Sequence, residues 1–149
     1  YSKAVLKQLW GLPPALNMQY EKRVQAAMRE IARAGLAESA HDLSDGGLAV
    51  ALAESSFGPA GVGARIDLDS DLRPELLLFH EGPSRILIST PEAAAVQKIA
   101  AAHGVEAPRI GVTMERELKI SRRGESLVGA KVQALQEAWA GALEKALHA

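Results

Sequence analysis

The chain has 149 residues, of which 48% are hydrophobic and 4% aromatic, and its formal net charge at pH 7 is −1. This length is enough for one compact domain with its own core. The near-neutral charge argues against nucleic acid or a membrane surface as a partner, and the lack of cysteine excludes disulfides and thiolate metal sites. No apolar run reaches the roughly 20 residues of a membrane span, and we therefore expect a cytoplasmic protein.

The first residues differ in character from the rest of the chain. Residues 1–15 are typical of a connector, which Pro13 and Pro14 close, and the chain begins with Tyr1 rather than with methionine. We therefore expect a fragment in which residues 1–15 lead from a missing upstream domain and residues 16–149 form a single domain.

The first half of that domain alternates between helices and extended segments. Asn17 is predicted to cap a helix that ends at Gly35, and Ser39 to Leu43 is predicted to be extended. A second helix is predicted after Gly47 and ends before Phe57. Further predicted elements are a strand over 62–68, a short helix over 74–79 and a strand over 85–90 that is buried on both faces.

The second half repeats this irregular alternation. A helix is predicted over 92–103, followed by strands over 108–113 and 117–121 and a turn at 122–124. A long final helix is predicted from about Gly129 to Leu147, with an apolar face in the core or at a domain interface; that face comprises Val132, Leu135, Trp139, Leu143 and Leu147. This order favours an α+β fold, with helices on a mixed sheet, over a doubly wound one.

One polar motif stands where a strand meets a helix, in HDLSDGGLAVALAE. Asp42, Ser44 and Asp45 precede Gly46 and Gly47, so carboxylates, a hydroxyl and free backbone N–H groups meet at a helix start. Such a turn can bind a phosphate at the helix N-terminus or Mg²⁺ through its carboxylates. The alternative is an ordinary helix start that Ser44 or Asp45 caps.

The histidines offer little chemistry beside this motif. His41 and Asp42 are neighbours in an extended segment and point to opposite faces, which argues against a catalytic dyad. The remaining histidines, His80, His103 and His148, lack the spacing of zinc ligands.

A second polar motif is FHEGPSRILI, in which Glu81, Ser84 and Arg85 lie in a tight turn before an apolar strand. Arg85 could hold a carboxylate or phosphate with two parallel hydrogen bonds. Alternatively, Glu81 and Arg85 pair with each other and hold the loop in shape.

Four stretches together, HDLSDGGLAVALAE, VGARIDL, LLLFHEGPSRILIS and EAW in the final helix, resemble the last domain of the phosphoribosylformylglycinamidine synthase family. The resemblance extends from about Tyr20 to Leu143. It implies a three-layer α/β/α domain on a mixed sheet, partly ferredoxin-like and of the aminoimidazole ribonucleotide synthetase C-terminal-domain type. Within the family, the chain is similar to the C-terminal domain of the enzyme's second half.

The resemblance also implies a reaction for the parent enzyme. With ATP and Mg²⁺, the family phosphorylates the amide oxygen of formylglycinamide ribonucleotide, and glutamine-derived ammonia displaces the phosphate to form the amidine. The implied partners are the upstream ATP-handling domain and, in the small form, a glutaminase subunit and a small third subunit. The isolated domain is expected to be inactive, with no catalytic residue and no cofactor of its own. Its expected role is structural, or that of a pseudo-symmetric half of a nucleotide or substrate site.

The resemblance suggests roles for individual residues. Asp42 matches a magnesium-binding aspartate of the family's catalytic half. Gly46 and Gly47 match the family's small-residue turn, and Glu81 matches the first residue of a Glu-Ser-Gln triplet that binds substrate in the catalytic half, whereas Gly82 and Pro83 replace the other two. The candidate substrate-binding or nucleotide-binding residues are Ser44, Asp45, Gly46, Gly47, Glu81, Ser84 and Arg85. His80 and Gly82 stand where the family pattern leads us to expect serines, which argues against substrate binding at this loop.

Two alternatives stay open. The chain could be a stand-alone nucleotide-binding, small-ligand-binding or interaction module. It could also be the equivalent domain of aminoimidazole ribonucleotide synthetase or selenophosphate synthetase.

Overall fold

The computed structural model describes residues 3, 5–8, 14–58 and 61–148, so much of the predicted connector over 1–15 lies outside the described residues. The chain divides into two compact units, which we describe separately: residues 1–51 with 75–109, and residues 52–74 with 110–149. The elements in chain order are α1 (Met18–Arg33), β1 (Ser39–Asp42), α2 (Gly47–Ser55), β2 (Val62–Leu68), α3 (Pro74–Phe79), β3 (Ile86–Ser89), α4 (Ala93–Ala102), β4 (Gly111–Glu115), β5 (Glu117–Arg122), β6 (Glu125–Lys131), α5 (Val132–Ala140) and α6 (Ala142–Leu147).

The helix α1 begins as its sequence predicts. The side chain of Asn17 accepts hydrogen bonds from the backbone N–H groups of Gln19 and Tyr20, at 3.1 and 3.0 Å. These bonds satisfy two of the N–H groups that a helix start leaves without a partner. The apolar side of the helix is buried through Val24, Ala27 and Ile31. The helix α1 is therefore capped at its start and anchored by its apolar side.

The first unit contains a two-stranded antiparallel sheet, in which β1 pairs with β3 from Ser39 opposite Ser89 to Asp42 opposite Ile86. Every residue of β3 is half-buried, so the prediction of a strand buried on both faces is wrong. The reason is that β3 has a single neighbouring strand among the described residues.

The second unit contains a four-stranded mixed sheet in the order β4-β2-β5-β6. Strands β2 and β5 run parallel, with Ile66 opposite Ile120, and the other neighbours are antiparallel. Leu118 and Ile120 of β5 are buried beside Ile66 and Leu68 of β2. The predicted mixed sheet and α+β fold are confirmed, but the described strands form two sheets rather than one because β1 and β3 pair only with each other.

The C-terminal region differs from the prediction. The helix predicted from Gly129 begins only at Val132, because residues 125–131 form β6 and pair with β5. The expected turn at 122–124 shrinks to residues 123–124.

The apolar face of this helix is also mostly uncovered. Val132 is buried, whereas Trp139, Leu143 and Leu147 are 59%, 71% and 74% exposed. The expectation that this face lies in the core is therefore wrong for these three residues, while a domain interface stays a prediction. None of the helices in the described ranges is long and apolar enough to cross a membrane.

Candidate functional site

The two polar motifs meet at one end of the two-stranded sheet. Strand β1 leads into residues 42–47, which we call the glycine turn, and β3 begins directly after residues 80–85, which we call the 80–85 loop. Because β1 and β3 are antiparallel, the end of one lies beside the start of the other. The backbone N–H of Leu43 donates to the carbonyl of Arg85 at 3.0 Å, so the two segments are joined directly.

Gly47 lets the two backbones approach closely. It adopts φ +64°, and a Cβ placed on it would lie 2.8 Å from the carbonyl carbon of Phe79 and 2.9 Å from the carbonyl oxygens of Leu78 and His80. No side chain fits between these groups. The glycine turn therefore packs directly on the backbone that leads into the 80–85 loop.

Glu81 connects the loop to the N-terminus of α2. Its Oε1 accepts a hydrogen bond from the backbone N–H of Gly46 at 2.9 Å. A carboxylate is favourable there because the helix dipole places positive charge at this end. Among the described residues, the side chains of Ser44 and Asp45 make no hydrogen bond and both residues are exposed. The prediction that Ser44 or Asp45 caps α2 is therefore wrong. The side-chain acceptor at this helix start is Glu81, 35 residues from Gly46 in the sequence.

Ser84 connects the loop to α1. Its φ is +64°, a left-handed conformation that is costly for a residue with a side chain. Its Oγ donates to Oε2 of Glu21 at 2.5 Å, and Gln25 donates to the other carboxylate oxygen at 2.6 Å. The hydrogen bonds from Ser84 and Gln25 hold the pKa of Glu21 below its ordinary value. The carboxylate of Glu21, on the capped helix α1, is therefore oriented by hydrogen bonds to both of its oxygens.

Arg85 lies half-buried at the end of the loop. Its Nη1 donates to the carbonyl oxygen of His80 at 3.2 Å, and burial lowers the pKa of its guanidinium. No carboxylate of the described residues forms an ion pair with it, so the alternative of a Glu81–Arg85 pair is wrong. A guanidinium has five N–H donors, and most of those on Arg85 stay available to an anion.

Asp42 is exposed at the end of β1. Nδ1 of His41 lies 2.6 Å from the backbone oxygen of Asp42. In the described part of the chain, no group of three or more histidines, aspartates and glutamates could hold a metal ion. Asp42 offers one ligand, and the described residues do not complete a magnesium site around it.

The folded chain adds two features that the sequence did not suggest. Glu21 and Ser84 are 63 positions apart, and neither lies in a local pattern that predicts their contact. His80 and Gly82, the two departures from the family pattern, fit one another: a Cβ at Gly82 would lie 2.9 Å from Nδ1 of His80. The His80 ring therefore occupies space that a larger residue at position 82 would need.

An α+β fold with a glycine turn between a strand and a helix is the class of domain to which this chain belongs. The chain belongs to the family described as AIR synthase related protein, C-terminal domain, whose model matches residues 5–122. It is 46% identical over 131 residues to the phosphoribosylformylglycinamidine synthase subunit PurL of Moorella thermoacetica. It is 40% identical over 144 residues to the PurL subunit of Synechococcus elongatus. These alignments cover 87% and 92% of this chain but 18% of each relative, so the chain spans about a fifth of their length.

Solved structures give the same likeness. The structure of Thermotoga maritima PurL complexed with FGAR matches with a TM-score of 0.69 and 27% identity over 77% of this chain and 20% of that one. The ADP complex matches with a TM-score of 0.71 and 26% identity over 81% of this chain and 22% of that one. The T. maritima PurLQS structure matches with a TM-score of 0.69 and 26% identity over 90% of this chain and 24% of that one.

Proposed function

We propose that the chain is the C-terminal domain of the second half of a phosphoribosylformylglycinamidine synthase, with residues 1–15 as its connector and residues 16–149 as one domain. In the parent reaction, the amide oxygen of formylglycinamide ribonucleotide takes the γ-phosphoryl group of ATP, and ADP leaves. Ammonia derived from glutamine then attacks the amide carbon, and phosphate leaves with the former amide oxygen.

The likeness to PurL subunits carries this proposal, because it extends over 87–97% of the chain and includes both polar motifs. Those relatives are named as subunits, which supports a parent of the small form. Its partners would be an upstream ATP-handling domain, a glutaminase subunit and a small third subunit, all in the cytoplasm.

Within this domain, we propose that the glycine turn and the 80–85 loop form a substrate-binding or nucleotide-binding half-site. The contributing residues are Ser44, Asp45, Gly46, Gly47, Glu81, Ser84 and Arg85. Arg85 is the best anion contact because it is half-buried and has no carboxylate partner in the described part of the chain. Glu81 holds the turn in shape, since its carboxylate already accepts from the N–H of Gly46.

Asp42 is proposed as one magnesium ligand, completed by phosphate oxygens of a nucleotide or by residues elsewhere in a longer polypeptide. When bound, Mg²⁺ would neutralise phosphate charge. Asp42 would contribute its carboxylate toward the ion.

The test compares the intact polypeptide with residues 1–149 alone. Amidine synthesis from formylglycinamide ribonucleotide, ATP and ammonium chloride is expected from the intact polypeptide and is expected to be absent from the 149 residues. Synthesis by the 149 residues alone, or none by the intact polypeptide under conditions where a PurL relative is active, contradicts the proposal. Asp42→Ala in the intact polypeptide is expected to weaken Mg²⁺-dependent ADP binding, while Asp69→Ala, on the β2–α3 connection, serves as the exposed-carboxylate control.

A further inference from the structure

We propose that Glu21, on α1, is the positioning residue of this site: its carboxylate holds Ser84 in the left-handed conformation and so aims the guanidinium of Arg85 at an anionic ligand. This inference rests on the function proposed above. It adds a residue that lies in neither polar motif.

The backbone of Ser84 adopts a conformation that is unfavourable for serine. Its φ of +64° is one that glycine adopts freely and that serine avoids, so a compensating contact is needed to keep it. Within the described part of the chain, the hydrogen bond of 2.5 Å to Glu21 is the one that the side chain of Ser84 makes. Charge-assisted hydrogen bonds of this kind are stronger than neutral ones.

The position of Glu21 is set by its helix and by Gln25. This residue lies in the first turn of α1, whose buried face includes Val24, and Gln25 holds its second carboxylate oxygen at 2.6 Å. The carboxylate is thus fixed from both sides. A loop residue tied to it takes its position from the helix rather than from the loop.

The backbone conformation of Ser84 affects the position of Arg85, the next residue. The carbonyl of Arg85 is fixed by Leu43 at 3.0 Å, and its Nη1 reaches the carbonyl of His80 at 3.2 Å. A change in the backbone at Ser84 therefore turns Arg85 away from both contacts. The anion contact proposed for Arg85 depends on a carboxylate that touches neither Arg85 nor the ligand.

The experiment measures dissociation constants of the intact polypeptide for ADP with Mg²⁺ and, separately, for inorganic phosphate. Glu21→Ala is expected to weaken binding about tenfold or more, from the loss of one charge-assisted hydrogen bond. Glu21→Gln keeps a neutral acceptor for Ser84 and is expected to weaken binding less than Glu21→Ala does. Gln25→Ala leaves the Glu21–Ser84 bond in place but frees the other carboxylate oxygen, and it is expected to weaken binding less than Glu21→Ala does.

Ser84→Gly makes the test specific, because glycine adopts φ +64° without help. In the Ser84→Gly background, Glu21→Ala is expected to change binding by less than about twofold. An equal loss in both backgrounds overturns the inference.

Arg85→Ala separates this inference from the proposed function. If Arg85→Ala abolishes binding while Glu21→Ala has no effect, the positioning role is overturned and the proposed site stands. If Arg85→Ala leaves binding unchanged, the proposed site fails, and the inference fails with it.

Discussion

At the residue scale, the candidate site depends on Gly47, a position at which the neighbouring backbone leaves no room for a side chain. Gly47 has φ +64° and backbone atoms of Phe79 and His80 within 2.9 Å of an added Cβ. Gly35 offers a matched comparison, because its φ is +66° and nothing lies within 4 Å of an added Cβ.

We therefore predict that Gly47→Ala lowers the free energy of unfolding by about 2–4 kcal/mol, from left-handed strain plus overpacking. Gly35→Ala is expected to cost about 1 kcal/mol, from the backbone strain alone. Urea unfolding followed by circular dichroism measures both. Equal losses for the two variants would show that the close approach at Gly47 is unimportant.

A second residue-scale prediction concerns acid stability. Asp67 accepts hydrogen bonds from Oγ of Ser121 at 2.6 Å and from the N–H of Gly124 at 3.1 Å. The Ser121 bond, and after it the Gly124 bond, lower the pKa of Asp67 from its ordinary value of 3.8. Because this pKa is lower in the folded state, the unfolded state binds more protons as the pH falls. The stabilisation is present above pH 3.8 and is lost as the pH drops through the lowered pKa.

The melting temperature between pH 6 and pH 2 is therefore expected to fall less steeply for Asp67→Asn than for the wild type. Ser121→Ala removes the principal donor and is expected to flatten the same part of the curve. The acid slope is not expected to vanish, because the pKa values of Glu21 and Glu117 are also lowered. Identical slopes for the wild type and both variants would contradict the assignment to Asp67.

At the scale of elements, the start of α2 depends on a residue from another segment. Glu81 accepts from Gly46 at the helix N-terminus, where an N-cap would otherwise act. Glu81→Ala is therefore expected to lower the free energy of unfolding by about 1 kcal/mol, the usual cost of a lost cap. Glu81→Gln keeps an acceptor oxygen and is expected to cost less than half of that.

The control for this element is Glu75→Ala, since Glu75 lies in the first turn of α3 and makes no side-chain hydrogen bond within the described residues. Chemical denaturation of the three variants measures the differences. A loss for Glu75→Ala as large as that for Glu81→Ala would mean that the cap contact is not the cause.

Also at this scale, predictions succeeded where local patterns are strong. α1 was predicted from its Asn17 cap and apolar spacing, and β2 from the alternation over 62–68; both are confirmed. β6 was missed because its residues carry no clear alternation, and its strand geometry comes from pairing with β5. Tertiary pairing can override weak local preference in this way.

At the scale of the whole molecule, the sequence predicted the α+β class and the likeness to the synthase family, because both depend on the order of elements and on motifs that are continuous in the chain. The activity proposed for the intact polypeptide belongs to this scale, since the chain spans about a fifth of its PurL relatives.

The local sequence was sufficient to predict α1, α4 and the glycine turn, because caps, spacing and glycine act between residues a few positions apart. Three contacts of the site required the folded chain: Glu81 with Gly46, Ser84 with Glu21, and Arg85 with Leu43. Their partners are between 35 and 63 positions apart. The pairing of β1 with β3 brings the two motifs together at one end of a sheet. The sequence of neither segment contains a local pattern that predicts this pairing. The start of α2 in HDLSDGG therefore receives its side-chain contact from Glu81, in another part of the chain, while ligand binding at this turn stays a proposal.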